Sequence, residues 1–211
     1  MVSMAKDIYS DDELKELLYA VGQRVKIHRS VMFFNPKKIS IASDVRIDCF
    51  CVLSAGEEGI YIGNYIHLGA STHLFGNGGQ IVFGDFVGIS SRVSFFTASD
   101  DYKEGFLMNP LIPNEYKKIT KGPVILDRHV IIGCGSVILE NVHLGLAASI
   151  GSLSLIKKSV LPFHMMAGIP AKFIGERSKD VLIHEERFLD SLRKKEGQEI
   201  FLKKTKFESE S

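Results

Sequence analysis

The run "TASDDY" sets two adjacent carboxylates, Asp100 and Asp101, beside Tyr102 at the mouth of a stretch rich in proline, asparagine and tyrosine. A carboxylate whose pKa is raised by burial or by a like-charged neighbour can act as a general base near neutral pH, a contribution of about 10²- to 10⁴-fold. His73 in "GASTHLFGNGG" precedes a glycine-rich irregularity that also carries Asn77, and His129 lies in "LDRHVIIG". No histidine stands between these two. The three cysteines (Cys49, Cys51, Cys134) form no CxxC pair, which suits a reducing cytoplasm better than a disulfide framework. Cys134 has no base partner identifiable from sequence, which argues against a covalent thiol mechanism.

The elements that must hold these groups follow a period of six. Large apolar residues recur at Leu126, Ile132, Ile138, Leu144, Ile150 and Ile156, and four positions after each comes a small residue, from Val130 and Ser136 to Ser154 and Val160. Upstream the phase is broken: Ile41, Ile47 and Leu53, then Ile62, Leu68 and Leu74, then Phe83, Ile89 and Phe95. Six fits neither the 3.6 of a helix nor a plain alternation, and it predicts a coil of short strands with one inward aliphatic per strand. Glycine or aspartate follows the aliphatic at Gly63, Gly69, Gly84, Asp127, Gly133, Gly145 and Gly151, as turns that need permissive backbone angles would require. Such a stack is a solenoid with one continuous core. Between Phe95 and Leu126 the spacing is 31 residues instead of six, so about 25 leave the coil as a loop at 99–122.

Flanking segments read as helices. Ser10 with Glu13 fits a capping box ahead of a Leu14, Leu17, Leu18, Val21 stripe, and Val181, Leu182, Phe188, Leu189 and Leu192 mark a second amphipathic helix before the charged tail "KKTKFESES". Both are expected to cap open ends of the solenoid, giving three regions at 1–29, 30–178 and 179–211. With 26 Lys and Arg against 25 Asp and Glu, the net charge of +1 gives no reason to expect nucleic acid or a membrane surface as partner. The absence of an apolar leader, or of any run near 18 apolar residues, predicts a soluble cytoplasmic protein.

The pattern "IIGCGSVILENVHLGLAASIGSLSLIKKSV" followed by "MAGIPAKFIGERSK" resembles the hexapeptide-repeat acyltransferases, and its "GIPAK" close is similar to the galactoside, maltose and surface-polysaccharide acetyltransferases. That resemblance, over residues 30–178, implies an all-β solenoid, a left-handed parallel β-helix. It also implies acetyl-CoA as acyl donor, no metal, and a homotrimer whose extended loop walls a neighbour's site. Carried to matching positions, the donor residues are Gly133, Cys134, Ser152, Lys157, Lys158 and Lys172, with a backbone amide at Gly133 or Cys134 polarising the thioester carbonyl. The chain departs from the family where a catalytic histidine is usual, because Asp100 occupies that position. A sugar hydroxyl needs its proton removed as it attacks, whereas a free amine does not.

The expectation is therefore N-acetylation of a nucleotide-linked amino sugar for surface polysaccharide, O-antigen or capsule, with Asp100 and His73 as catalytic groups. Asn77, Asp101 and Tyr102 are expected to contact the sugar. Two alternatives stay open: O-acetylation of a galactoside or polysaccharide sugar with Asp100 as base, and a hexapeptide-repeat protein with no catalytic role. Carbonic anhydrases on the same helix use three zinc-binding histidines, two of them four residues apart, but His67 and His73 are six apart.

Overall fold

The computed structural model describes residues 7–196, so the tail at 203–211 lies outside it. Each coil passes through three short strands, and strands of successive coils pair in parallel to build three faces. The first face runs from Ala20–Val21 through Ile39–Ile41, Ile60–Ile62, Ile81–Phe83 and Val124–Leu126 to Val142–Leu144. The second runs from Lys26–Ile27 through Arg46–Ile47, His67–Leu68, Gly88–Ile89 and Ile131–Ile132 to Ser149–Ile150. The third runs from Met32–Phe34 through Val52–Ala55, His73–Gly76, Ser94–Phe96 and Val137–Ile138 to Leu155–Ile156. This is the coil of short strands that the period predicts, and the left-handed parallel β-helix that the resemblance implies.

The inward positions are those the period selects. Leu126, Ile132, Ile138, Leu144, Ile150 and Ile156 are all buried, as are the small residues four positions on. Buried hydroxyls among them bond to the ladder: Thr72 Oγ1 donates to the Ser90 carbonyl (3.1 Å) and Ser136 Oγ to the Gly151 carbonyl (3.0 Å). Among the described residues no buried side-chain nitrogen or oxygen lacks a hydrogen-bond partner.

The glycines after the aliphatic positions serve a different end from the one their spacing suggests. None of Gly63, Gly69, Gly84, Gly133, Gly145 and Gly151 has a positive φ; the left-handed residue comes two positions later, at Tyr65, Ser71, Phe86, His129, Ala147 and Leu153 among others. What demands glycine is close stacking of coils. A Cβ on Gly133 would lie 2.4 Å from Ser152 N, and one on Gly69 2.6 Å from Ser91 N.

The broken upstream phase has one cause. Leu53 to Ile62 and Leu74 to Phe83 are nine residues apart, and the extra residues fall at 56–59 and 77–80, on the corner between the third and first faces. The long excursion leaves from that same corner, after Phe96.

Helix α1 (Asp11–Leu17) has the predicted capping box: Ser10 Oγ accepts from Glu13 N (3.3 Å) and the Glu13 carboxylate from Ser10 N (2.7 Å). Leu14 and Leu18 seal the first coil, but Val21 belongs to the first strand, and coiling starts at Ala20, inside the segment 1–29 expected to be helical cap. Helix α2 (Asp180–Glu196) does not cover the open end. It lies along the corner between the first and second faces, where Phe188 meets Tyr65 edge-on (5.3 Å) and the Tyr65, Phe86 and His129 rings stack at 4.9 and 5.0 Å. At the far end the second face continues into the hairpin of His164–Gly168 and Ala171–Glu176.

Candidate active site

The excursion is rooted as a two-stranded ribbon, Ala98–Asp100 antiparallel to Ile119–Lys121, with Asp100 opposite Ile119. Its root is tied down on each side. Thr97, fully buried, donates through Oγ1 to the Phe75 carbonyl (3.0 Å) and accepts from Gly78 N (2.8 Å). Ser99 Oγ donates to Glu140 (2.7 Å), and the Asn141 amide donates to the Lys121 carbonyl (3.0 Å). Asp100 thus stands, exposed, on an anchored base rather than on a free loop.

Asn77 and the ribbon that carries Asp100 both follow the third face at this corner, whereas His73 opens its strand at the other end of that face. His73 points outward from the third face beside Phe75 (ring centroids 5.8 Å), which itself stacks on Phe96 (5.2 Å). Asn77 begins the next turn, and Gly78 is packed so tightly against the ribbon that a Cβ there would sit 2.8 Å from Ala98 Cβ.

Two expected sugar contacts do not join that group. Asp101 turns back on its own loop, accepting from the backbone N–H groups of Lys103 (2.9 Å), Glu104 (2.8 Å) and Phe106 (3.1 Å). These bonds, that of Glu104 foremost, hold its carboxyl below the usual range, so it serves the loop and is a poor base. Tyr102 is 92% exposed and touches no site residue within the copy described.

The donor positions divide into two places. Lys157 and Lys158 line a groove of about 440 Å³ with Leu155, Met166, Pro170 and Ala171. Lys172 follows at once, paired in the hairpin with Ala167. Gly133, Cys134 and Ser152 stack at a different corner, between the second and third faces. There the Gly133 N–H already donates to the Ile150 carbonyl (2.8 Å), which leaves Cys134 N–H as the donor of that pair not used by the coil ladder. His129, which the sequence left as a possible groove residue, is buried and bonded to Glu185 of α2 (2.9 Å), with Arg128 on the same carboxylate (2.6 Å).

One residue that sequence spacing passed over connects the two halves. Register places His73, Ser94, Val137 and Leu155 in one outward column of the third face, so the histidine's column ends in the lysine groove. At about 4.8 Å per strand the column is on the order of 14 Å long. Ser94 sits one position before the core residue Phe95 and could have been found from the repeat phase.

No family model matches the chain. A dTDP-4-amino-4,6-dideoxy-D-glucose acyltransferase of Escherichia coli is 44% identical over 185 residues, covering 87% of this chain and 96% of its own. The chain belongs to the dTDP-4-amino-4,6-dideoxy-D-glucose acyltransferase family. Among solved structures it is similar to AntD, an N-acyltransferase from Bacillus cereus, at 39% identity with a TM-score of 0.83 over 88% of this chain and 98% of AntD. AntD was solved with dTDP-4-amino-4,6-dideoxyglucose and coenzyme A in variants of one serine, with dTDP and 3-hydroxybutyryl-CoA, and in variants of one aspartate. A hexapeptide-repeat acetyltransferase of Vibrio cholerae, solved with acetyl-coenzyme A, matches at 18% identity and a TM-score of 0.57 over 85% of this chain and 80% of its own, a likeness of fold. As a member of this family the chain is an acyltransferase.

Proposed function

We propose that the chain transfers an acetyl or other short acyl group from coenzyme A to the amine of a dTDP-linked amino sugar. The observation that carries this is the match over nearly the full length of a relative named for that sugar nucleotide. A ribbon root offering a carboxylate and no histidine agrees with it. Lys157, Lys158 and Lys172 bind the phosphates of coenzyme A, and the column from Leu155 to His73 guides the pantetheine arm towards the acceptor.

The sugar nitrogen attacks the thioester carbonyl carbon; the C–N bond forms, the C–S bond breaks, and its electron pair leaves on sulfur. The proton shed by nitrogen ends on the departing thiolate, and Asp100 and His73 are the groups proposed to relay it. Cys134 N–H is offered to the carbonyl oxygen as charge develops.

The product, an activated acylamino sugar, serves surface polysaccharide synthesis in the cytoplasm, and the working unit is a homotrimer with sites between subunits. Exposed apolar side chains on the excursion, Leu107, Met108 and Leu111, support docking on a second copy. Light scattering at micromolar concentration is expected to give a trimer, and a monomer would contradict the shared site. Asp100→Asn is expected to weaken amine acylation; near-total loss with a hydroxyl acceptor as the better substrate would move the reading to O-acylation.

A further inference from the structure

From the contacts between one corner of the coil and the ribbon, we infer that Glu140 and Asn141 are positioning residues for the transfer, acting through the ribbon to fix where Asp100 stands. The inference rests on the proposed role of Asp100 in amine acylation. Residues 139–141 turn the corner between the third and first faces, after Val137–Ile138 and before Val142–Leu144. They lie one coil beyond the ribbon root and one coil before Lys157 and Lys158, between the ribbon and the lysine groove.

Each residue of the pair grips a different strand. Glu140 accepts from Ser99 Oγ (2.7 Å) on Ala98–Asp100, and Asn141 donates through Nδ2 to the Lys121 carbonyl (3.0 Å) on Ile119–Lys121. Ala98 pairs with Lys121 and Ser99 with Thr120, so both grips act at the rooted end of the ribbon. Asn141 has a φ of +59°, a left-handed conformation that asparagine adopts more readily than most residues. Its amide fills the space over Gly122, where any Cβ would collide with Asn141 Oδ1. Glu140 is half-buried and makes no ion pair among the described residues, so its carboxylate answers to the Ser99 hydroxyl rather than to a cation.

Strand alternation carries this grip to Asp100. Side chains one apart point to opposite faces, so Ser99 meets the coil of Glu140 while Ala98 and Asp100 share the other face. Ala98 shows which side that is, because a Cβ on Gly78 would lie 2.8 Å from Ala98 Cβ. Asp100 is therefore presented on the side of Asn77 and Gly78. Thr97 secures only the start of this strand, and Asp100 lies three residues further on, so a rotation permitted by losing the Ser99 bond would displace its carboxylate.

The test is steady-state thiol release by the full-length protein with acetyl-CoA and dTDP-4-amino-4,6-dideoxyglucose. Glu140→Ala and Ser99→Ala are each expected to lower kcat about 10-fold or more while KM for acetyl-CoA stays within about twofold of wild type, since misplacing a reacting group costs rate rather than donor binding. The double variant should be no slower than the slower single one, because both remove the same bond. Glu140→Gln keeps an acceptor for Ser99 and should recover most of the rate. Asn141→Gly, which accepts the same backbone angle, should lower kcat in the same way. Ser99→Ala removes the bond from the ribbon side without altering the coil, so it decides the matter if Glu140→Ala fails to fold. An unchanged kcat in Ser99→Ala, losses that multiply in the double variant, or Glu140→Gln no faster than Glu140→Ala would each overturn the positioning role and leave the proposed function standing. Wild type that releases no thiol with the amine overturns the proposed function, and this inference with it.

Discussion

The downstream coils, Val124 to Ile156, keep an unbroken period of six, whereas the upstream coils, Ile39 to Phe96, lengthen at one corner of every turn. Both halves bury the same inward positions, so the difference does not lie in the core. It lies at the corner between the third and first faces, where three residues are added twice and the long excursion once. A solenoid whose inward residues carry the stability can lengthen one corner freely, and this chain collects Asn77, Asp100 and the ribbon root there. The regular half keeps the groove of Lys157 and Lys158, the place proposed for the long, flexible donor, on a straight run of coils.

Breaking the lengthened corner should have the largest effect, and on activity alone. Replacing residues 102–117 by a short glycine linker is expected to abolish turnover while a single cooperative unfolding transition remains, since shortening a surface loop changes closure entropy little. Circular dichroism melting and a thiol-release assay measure both. Core truncation should act alike in the two halves: Phe95→Ala upstream, fully buried against Phe83, is expected to cost about 3–5 kcal/mol, and Leu144→Ala downstream about 2–5 kcal/mol, by denaturant unfolding. A milder effect at the corner sharpens the contrast between packed and open glycine. Gly78→Ala would set its Cβ 2.2 Å from the Thr97 carbonyl oxygen and should cost about 1–3 kcal/mol together with activity. Gly105→Ala, in open space on the excursion with φ of +83°, should cost about 1 kcal/mol and leave the coil intact.

The smallest effect concerns the cap of the first coil. Hydrogen bonds from the Arg29 side chain, then from the Ser10 backbone, lower the Glu13 pKa from 4.5 to about 2. A depressed folded-state pKa contributes stability that is present above pH 4.5 and is lost as pH falls through about 2. The melting-temperature difference between wild type and Glu13→Gln should therefore be constant from pH 7 to 5 and close below pH 4. A difference that grows on acidification would contradict the assigned partners.

Much of this architecture was legible in the sequence because a repeat states its core directly. Ile132 and Ile138 declare their inward role by phase alone, and Ser10 with Glu13 declares a helix start. The reason for the glycines was not legible, because Gly69 and Gly133 are required by an atom one coil away rather than by their own backbone angles. The site was legible as residues and not as an arrangement. Asp101 looks like the twin of Asp100 until its carboxylate is seen holding three backbone N–H groups. His129 resembles a groove residue until Glu185, 56 positions away, accepts its ring. Glu140 shows no significance in "VILEN" until the fold brings Ser99 onto its carboxylate.

The most direct test of the central claim is thiol release from acetyl-CoA and 3-hydroxybutyryl-CoA with dTDP-4-amino-4,6-dideoxyglucose, set beside dTDP-6-deoxyglucose, which has a hydroxyl at the same carbon. Stoichiometric thiol release with the amine and none with the hydroxyl is the predicted result. Release with the hydroxyl at a comparable rate, or none with the amine from a trimer that binds coenzyme A, would contradict it.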